Sequence, residues 1–198
     1  ADEIELIDIT PAELRERMAE GKVYLGETAN VAAERFFKTE NLTALRELAV
    51  ASGVDGMCAG QALDMEATGK ELDVAALANL HALKTGALIR AAVRMGALAA
   101  NAPAPSLAAL DRYARALGLA FQIRDDILDV EGDAAQLGKT AGKDAAQGKN
   151  TYPRLLGMHG SRARLEELSA EMEASLSPLG DAADALRVLA GFAVARAS

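Results

Sequence analysis

Tryptophan is absent from this 198-residue sequence, cysteine occurs once, histidine twice and proline five times. A single cysteine cannot close a disulfide within the chain, which excludes a disulfide-stapled fold, and no Cys/His set stands at zinc spacing. A reducing compartment, the cytoplasm, is the expectation, with Cys58 as a small buried hydrophobe. Aromatic residues are scarce too, three Tyr and four Phe, so the apolar mass is mostly Ala and Leu and favours packed helices. No run of 18 charge-free apolar residues occurs, which excludes a membrane-spanning helix, and Ala1-Asp2-Glu3-Ile4-Glu5 is acidic where a secretory signal is basic. The formal charge is −8, so a nucleic-acid binder is not expected.

What is present reads as an all-α chain with one exception. Ile4, Leu6, Ile7 and Ile9 alternate in part with Glu5 and Asp8 and predict a short strand. Thr10-Pro11-Ala12-Glu13 is a capping box with Pro at the first helical position, and Gly21 is a stop, so a helix is predicted over about 11–20. Asn30 and Asn41 are candidate N-caps for helices over about 31–38 and 42–52. Gly53, Gly56 and Gly60 precede a helical stretch over 61–66. Asp73 caps a helix predicted to run unbroken to Asn101, apolar all round and therefore central. A further helix is predicted from Ser106 to about Val130, a Gly/Lys-rich loop over 131–150, and two amphipathic helices over about 161–176 and 179–196.

Chemistry concentrates on the helix from Ser106. Leu107, Leu110, Ala114, Leu117, Phe121 and Leu128 predict its buried stripe, and Asp125 falls within it, an expensive place for a carboxylate. Asp126 and Asp129 flank it, so three carboxylates crowd about one turn and repel unless a cation is present. Oxygen ligands without His or Cys select a hard cation, and Asp-Asp-x-x-Asp points to Mg²⁺ bridged to phosphate. A solvated acidic helix end is the bland alternative. Lys84 lies on the line Leu77, His81, Leu88, where an ammonium needs an anion: either a phosphate or a structural partner such as Asp64 or an Asp of the motif. His81 is expected to be a hydrogen-bonded core histidine. Gly138-Lys139-Thr140 and Gly148-Lys149 are candidates to fold over a phosphate, or else form a surface loop.

Four stretches carry a resemblance: Gly56-Met57-Cys58-Ala59-Gly60-Gln61-Ala62-Leu63-Asp64, Leu83-Lys84-Thr85-Gly86-Ala87-Leu88-Ile89, Phe121-Gln122-Ile123-Arg124-Asp125-Asp126-Ile127-Leu128-Asp129, and Leu137-Gly138-Lys139 with Lys149-Asn150-Thr151-Tyr152-Pro153. In this order, from about residue 47 onward, they resemble the C-terminal part of trans-isoprenyl diphosphate synthases of the farnesyl type. The resemblance implies an isoprenoid-synthase helical bundle that condenses an allylic diphosphate with isopentenyl diphosphate. It implies Mg²⁺ on Asp125, Asp126 and Asp129, and Lys84 and Asp125 as catalytic groups around the departing diphosphate. Lys84, Thr85, Lys139 and Lys149 would hold the diphosphate, with Gln61, Asp64, Phe121 and Gln122 lining the same cavity.

The pattern departs from that family in one respect. Its first aspartate-rich motif, on a facing helix, and a Gly-Gly-Lys-Arg type segment have no counterpart, since Asp125-Asp126 is the only Asp-Asp pair. Residues 1–49 instead resemble a cytoplasmic segment of potassium-responsive (Kdp-type) sensor histidine kinases, through Asp2-Glu3-Ile4-Glu5-Leu6, Glu20-Gly21-Lys22-Val23-Tyr24, Phe36-Phe37 and Asn41-Leu42-Thr43-Ala44-Leu45-Arg46-Glu47-Leu48-Ala49. A two-part chain is therefore expected, 1–49 and 50–198, joined near Glu47-Leu48-Ala49. Two readings follow: a Mg²⁺-dependent prenyltransferase, or a noncatalytic fusion that binds Mg²⁺ and pyrophosphate weakly or serves protein contact. Apolar helix faces left without cover predict a homo-oligomer, a dimer at least.

Overall fold

A computed structural model of the chain describes residues 9–23, 30–32, 34, 37–135 and 149–196, with 133–135 described in main chain alone. No strand occurs among the described residues, and the strand expected over 4–9 lies outside them except for Ile9. The helical class expected from composition is what the chain adopts.

The chain divides into two units, Ala1–Glu47 and Leu48–Ser198. In the first, α1 (Pro11–Ala19) starts as predicted: the Thr10 hydroxyl accepts from the Glu13 N–H at 3.2 Å and Pro11 opens the helix. Glu13 does not close the reciprocal half of a capping box but pairs with Arg17 one turn on, at 3.2 Å. Helix α2 (Thr39–Ser52) begins three residues earlier than expected, so Asn41 is inside it and is no cap.

The second unit holds α3 (Met57–Ala67), then α4 (Val74–His81), a π-helical turn (Ala82–Gly86) and α5 (Ala87–Ala99) in direct succession. Asp73 caps α4 as expected, accepting from the Ala76 N–H at 2.7 Å. The predicted unbroken helix is thus interrupted by the π turn, in the stretch Ala-Leu-Lys-Thr-Gly. Close backbone approach accompanies it. A Cβ on Gly60 would lie 2.2 Å from the Lys84 nitrogen, and one on Gly118 would lie 2.8 Å from the Gly86 Cα. Neither position has room for a side chain, and helix periodicity carries no trace of such packing.

Helix α6 (Ala104–Ala135) is the central element, a place the sequence reading gave to 73–101. Tyr113, Ala116, Leu117, Ala120, Ile123 and Ile127 of α6 pack with Leu165, Leu168, Met172 and Leu176 of α7 (Tyr152–Leu176) and with Ala190 and Ala193 of α8 (Asp184–Ala195). A 3₁₀ segment, Ser177–Ala183, joins α7 to α8. Helix α7 starts nine residues before the predicted 161, because Thr151 caps it, accepting from the Arg154 N–H, and Pro153 sits in its first turn. Gly157, at φ 70°, bends it there.

Two burial expectations are corrected. The α6 core line runs through Ile123 and Ile127, so Asp126 is the buried carboxylate and Asp125 is half exposed. Cys58 is exposed: Gly60, two residues on and so on the other side of α3, faces the π turn instead.

Candidate functional site

The residues singled out in the sequence fall into two groups joined by a third. The first stands on α3 and the π turn. Lys84 Nζ donates to Asp64 Oδ2 at 2.7 Å, both side chains being largely but not wholly buried. Of the partners open to Lys84, the structure selects Asp64. An ammonium has three donors, so this bond leaves others for an anion. The stiff seat comes from the backbone, since the Gly60 contact fixes α3 against the turn that carries Lys84 and Thr85. Lys149 and Asn150 line a small crevice with Asp64, Ala67, Thr68 and Leu80. Asn150 ties this edge together: its Oδ1 accepts from the Leu72 N–H at 3.1 Å, and its Nδ2 donates to the carbonyls of Ala67 at 3.3 Å and Lys70 at 2.8 Å. Gln61 is exposed on α3.

The joining group is buried. Asp126 Oδ2 accepts the Tyr152 N–H at 2.8 Å and faces His81 Nε2 at 3.9 Å. The His81 ring stacks on Tyr152, centroids 6.0 Å apart, and neither ring nitrogen has a hydrogen-bond partner. His81 is therefore a core histidine as expected, but not a hydrogen-bonded one. Asp126 fastens the start of α7 to α6. Burial pushes the Tyr152 phenol above its usual range, Arg164 works against the shift and Asp126 adds to it.

The second group lies on the following face of α6. Asp125 Oδ1 accepts from Arg196 Nη2, and Asp125 Oδ2 accepts from Gln122 Nε2 at 3.3 Å. The same Nη2 donates to the Phe121 carbonyl at 3.1 Å, and the guanidinium carbon stands 3.9 Å from the centre of the Phe121 ring. Asp129, one turn on, is part-buried. Lys139 lies outside the described residues.

A divalent ion shared by the aspartates would need several of their oxygens turned to one point. Asp125 is engaged with Arg196 and Asp126 with the Tyr152 amide. Among the described residues no three His, Cys, Asp or Glu side chains stand together in a way that could hold one ion. As arranged, these side chains do not fit the metal.

Sequence reasoning missed three participants. Asn150 and Tyr152 were within a quoted motif but had no assigned contact; their signal was the Asn-Thr-x-Pro helix start. Arg196, after α8, carried no signal, because its partners are more than 70 positions away.

The chain is 48% identical over 161 residues to the farnesyl diphosphate synthase of Escherichia coli, covering 79% of this chain and 54% of that protein. It is 44% identical over 149 residues to the farnesyl diphosphate synthase of Geobacillus stearothermophilus, covering 75% and 49%. The chain thus spans about half the length of the curated relatives it matches. Among solved structures, an FPP/GFPP synthase of Zymomonas mobilis is similar with a TM-score of 0.68 at 34% identity, covering 92% of this chain and 57% of that one. A geranyltransferase of Helicobacter pylori, complexed with magnesium and isoprenyl diphosphate, gives a TM-score of 0.65 at 27% identity, with 92% and 56% covered. The family match begins at residue 23, inside the segment 1–49 expected to be separate. Matching over residues 23–186, the chain belongs to the polyprenyl synthetase family, a family of prenyltransferases.

Proposed function

We propose that the chain provides the diphosphate-binding half of a farnesyl-type isoprenyl diphosphate synthase, with an allylic diphosphate and isopentenyl diphosphate as substrates. One observation carries the reading: segments far apart in sequence meet through direct contacts, Lys84 with Asp64, Asn150 with Ala67, and Asp126 with both His81 and Tyr152. Lys84, Lys149 and Lys139 would supply positive charge to the diphosphate, and Thr85, Gln61, Phe121 and Gln122 would line its surroundings. In such a condensation the allylic C–O bond breaks, the alkene of isopentenyl diphosphate attacks the allylic cation, and a proton is lost. Negative charge grows on the leaving diphosphate, so fixed cations lower the barrier and no protein nucleophile is needed. Mg²⁺ belongs to the reading through the family resemblance, with Asp125, Asp126 and Asp129 as its sequence-derived ligands.

These 198 residues alone are expected to bind without useful turnover, because the resemblance calls for two aspartate-rich motifs and the sequence contains one Asp-Asp pair. Thermal melting tests the binding. Mg²⁺ and pyrophosphate together should raise Tm, either alone should do less, and Lys84→Gln should abolish most of the joint shift. Equal joint shifts in the parent chain, Lys84→Gln and Asp125→Ala would overturn the assignment.

A second reading, a noncatalytic fusion whose N-terminal segment makes protein contacts, is favoured by the division at Glu47/Leu48, at the join expected near Glu47-Leu48-Ala49. Both readings include a dimer or larger assembly formed over exposed apolar side chains such as Met65 and Phe192. Light scattering that finds a monomer at micromolar concentration would remove that element.

A further inference from the structure

In the N-terminal half of α6, Arg112, Arg115, Ala116 and Leu119 recur at helical spacing and face Arg164, Leu168, Glu171 and Ser175 of α7 across a groove of about 510 Å³. Asp125 lies about three turns or 15 Å farther along α6 from Arg115. The floor and the rim of the groove differ in character. Leu168 and Ala116 at the floor are 1% and 4% exposed and belong to the core. The rim is cationic, with three guanidiniums against the carboxylate of Glu171.

Two of the three are held in place by acids. Arg115 Nη2 stands 2.8 Å from Asp111 Oδ2, and Arg164 Nη1 reaches Glu167 Oε2 at 2.8 Å and Glu171 Oε1 at 3.2 Å. Each uses one nitrogen of a group with five N–H donors, so most donors on the rim are uncommitted. Arg112 pairs with no acid among the described residues. Ser175 spends its hydroxyl proton on the Glu171 carbonyl at 2.8 Å, so recognition of an occupant's polar part falls to the guanidiniums. On a chain of formal charge −8, such a gathering of arginines above an apolar floor suits an occupant that is anionic at one end and apolar at the other.

We propose that this groove binds a soluble organic phosphate, with the phosphate on Arg112, Arg115 and Arg164 and a short hydrocarbon body over Ala116, Leu119 and Leu168. Guanidiniums from two helices offer more donors than one carboxylate can accept and match the three oxygens of a phosphate monoester. The hydrocarbon body adds apolar burial that inorganic phosphate lacks, and the volume is that of a small-ligand site. The site is separate from the one assigned to the diphosphate: no metal enters it, and Lys84, Asp64 and the aspartates of α6 take no part. The occupant sits on the flank of the packed helices and displaces none of their core contacts. Glu171 opposes it, so neutralising that carboxylate tightens binding while Glu167 still holds Arg164.

The test uses the full 198-residue chain in EDTA, with hexyl phosphate as the probe. Titration calorimetry should find hexyl phosphate bound, inorganic phosphate and hexanoate each on the order of tenfold weaker, and hexanol not bound. Arg112→Gln should weaken hexyl phosphate on the order of tenfold without lowering Tm, because this side chain has no acidic partner to lose. Glu171→Gln should strengthen it several-fold, and Lys84→Gln should leave it unchanged. The amide resonances of Leu119 and Ser175 should shift along the binding curve. Equal affinity in the parent and a cooperatively melting Arg112→Gln overturns the proposal, and so does hexanoate bound as tightly as hexyl phosphate. Binding to vesicles containing phosphatidic acid but not to hexyl phosphate overturns it as well. Binding that is lost in Lys84→Gln and kept in Arg112→Gln overturns it too, and leaves the diphosphate-site reading standing.

Discussion

The two halves of α6 obey different rules. In its first half Tyr113, Ala114 and Ala120 are fully buried, and small residues let α7 and α8 approach closely. From Phe121 onward the same helix carries Gln122, Asp125, Asp126 and Asp129, and its neighbours are Arg196, His81 and a backbone amide of α7. Both halves exclude water from apolar surface, Ile123 and Ile127 included, but from Phe121 onward the helix also matches carboxylates with donors. The difference teaches where this chain can change state. Close-packed apolar contacts cannot be exchanged for a ligand, whereas each cation or donor in the second half can be replaced by another.

The largest effect should come from breaking the packed half. Leu168 on α7 is 1% exposed within the core. Leu168→Ala should cost about 2–5 kcal/mol through lost burial and the cavity left behind. For a chain of this size that lowers Tm by roughly 5–15 °C in a thermal melt. The affinity for pyrophosphate with Mg²⁺, measured well below the transition, should be unchanged. If affinity falls in step with stability, the two halves are not independent and the comparison breaks.

A smaller effect is expected at the point where the halves meet. Asp126→Ala strands the buried Tyr152 N–H now bonded at 2.8 Å, a loss of about 1–3 kcal/mol. Asp126→Asn keeps an acceptor and should recover most of it. Hydrogen exchange at the Tyr152 amide should quicken in the alanine variant and stay close to the parent in the asparagine variant. A result in which Asp126→Ala leaves stability untouched but removes the joint Mg²⁺ and pyrophosphate shift would move this carboxylate from the packing to the site.

How much of this could be read from the sequence follows the same division. Local signals were legible: Thr10 and Asp73 cap their helices as their positions predict, because a cap depends on atoms three residues apart. The charged residues Lys84, Asp64, Asp125 and Asp126 stood out because charges among apolar residues need partners. Which of two adjacent aspartates is buried was not legible, since it depends on the angle at which α7 lies on α6. Nor was the π turn, which goes with backbone contacts at Gly60 and Gly118 made by segments distant in sequence. Arg196 is the extreme case: an Ala-Arg-Ala context says nothing until folding lays it against α6.

The smallest effect tests the packed half with almost no change of shape. Tyr113 is fully buried, and its hydroxyl donates to the Leu186 carbonyl at 2.8 Å. Tyr113→Phe removes that bond while keeping the ring, at a cost near neutral pH of about 0.5–1.5 kcal/mol. The informative readout is the pH dependence. Burial pushes the Tyr113 phenol up from 10.0 to about 12, so the folded chain holds this proton more tightly than the unfolded chain does. Its contribution to stability is therefore whole below pH 10 and is lost as pH climbs from 10 through about 12. Denaturant melts of the parent should show stability falling across that window, and Tyr113→Phe should flatten the fall. Some slope should remain, because the Tyr152 phenol is also raised by burial. If the variant's alkaline limb is as steep as the parent's, the Tyr113 hydroxyl is reached by water in the folded chain, and the contrast between a dry half and an exchangeable half of α6 does not hold.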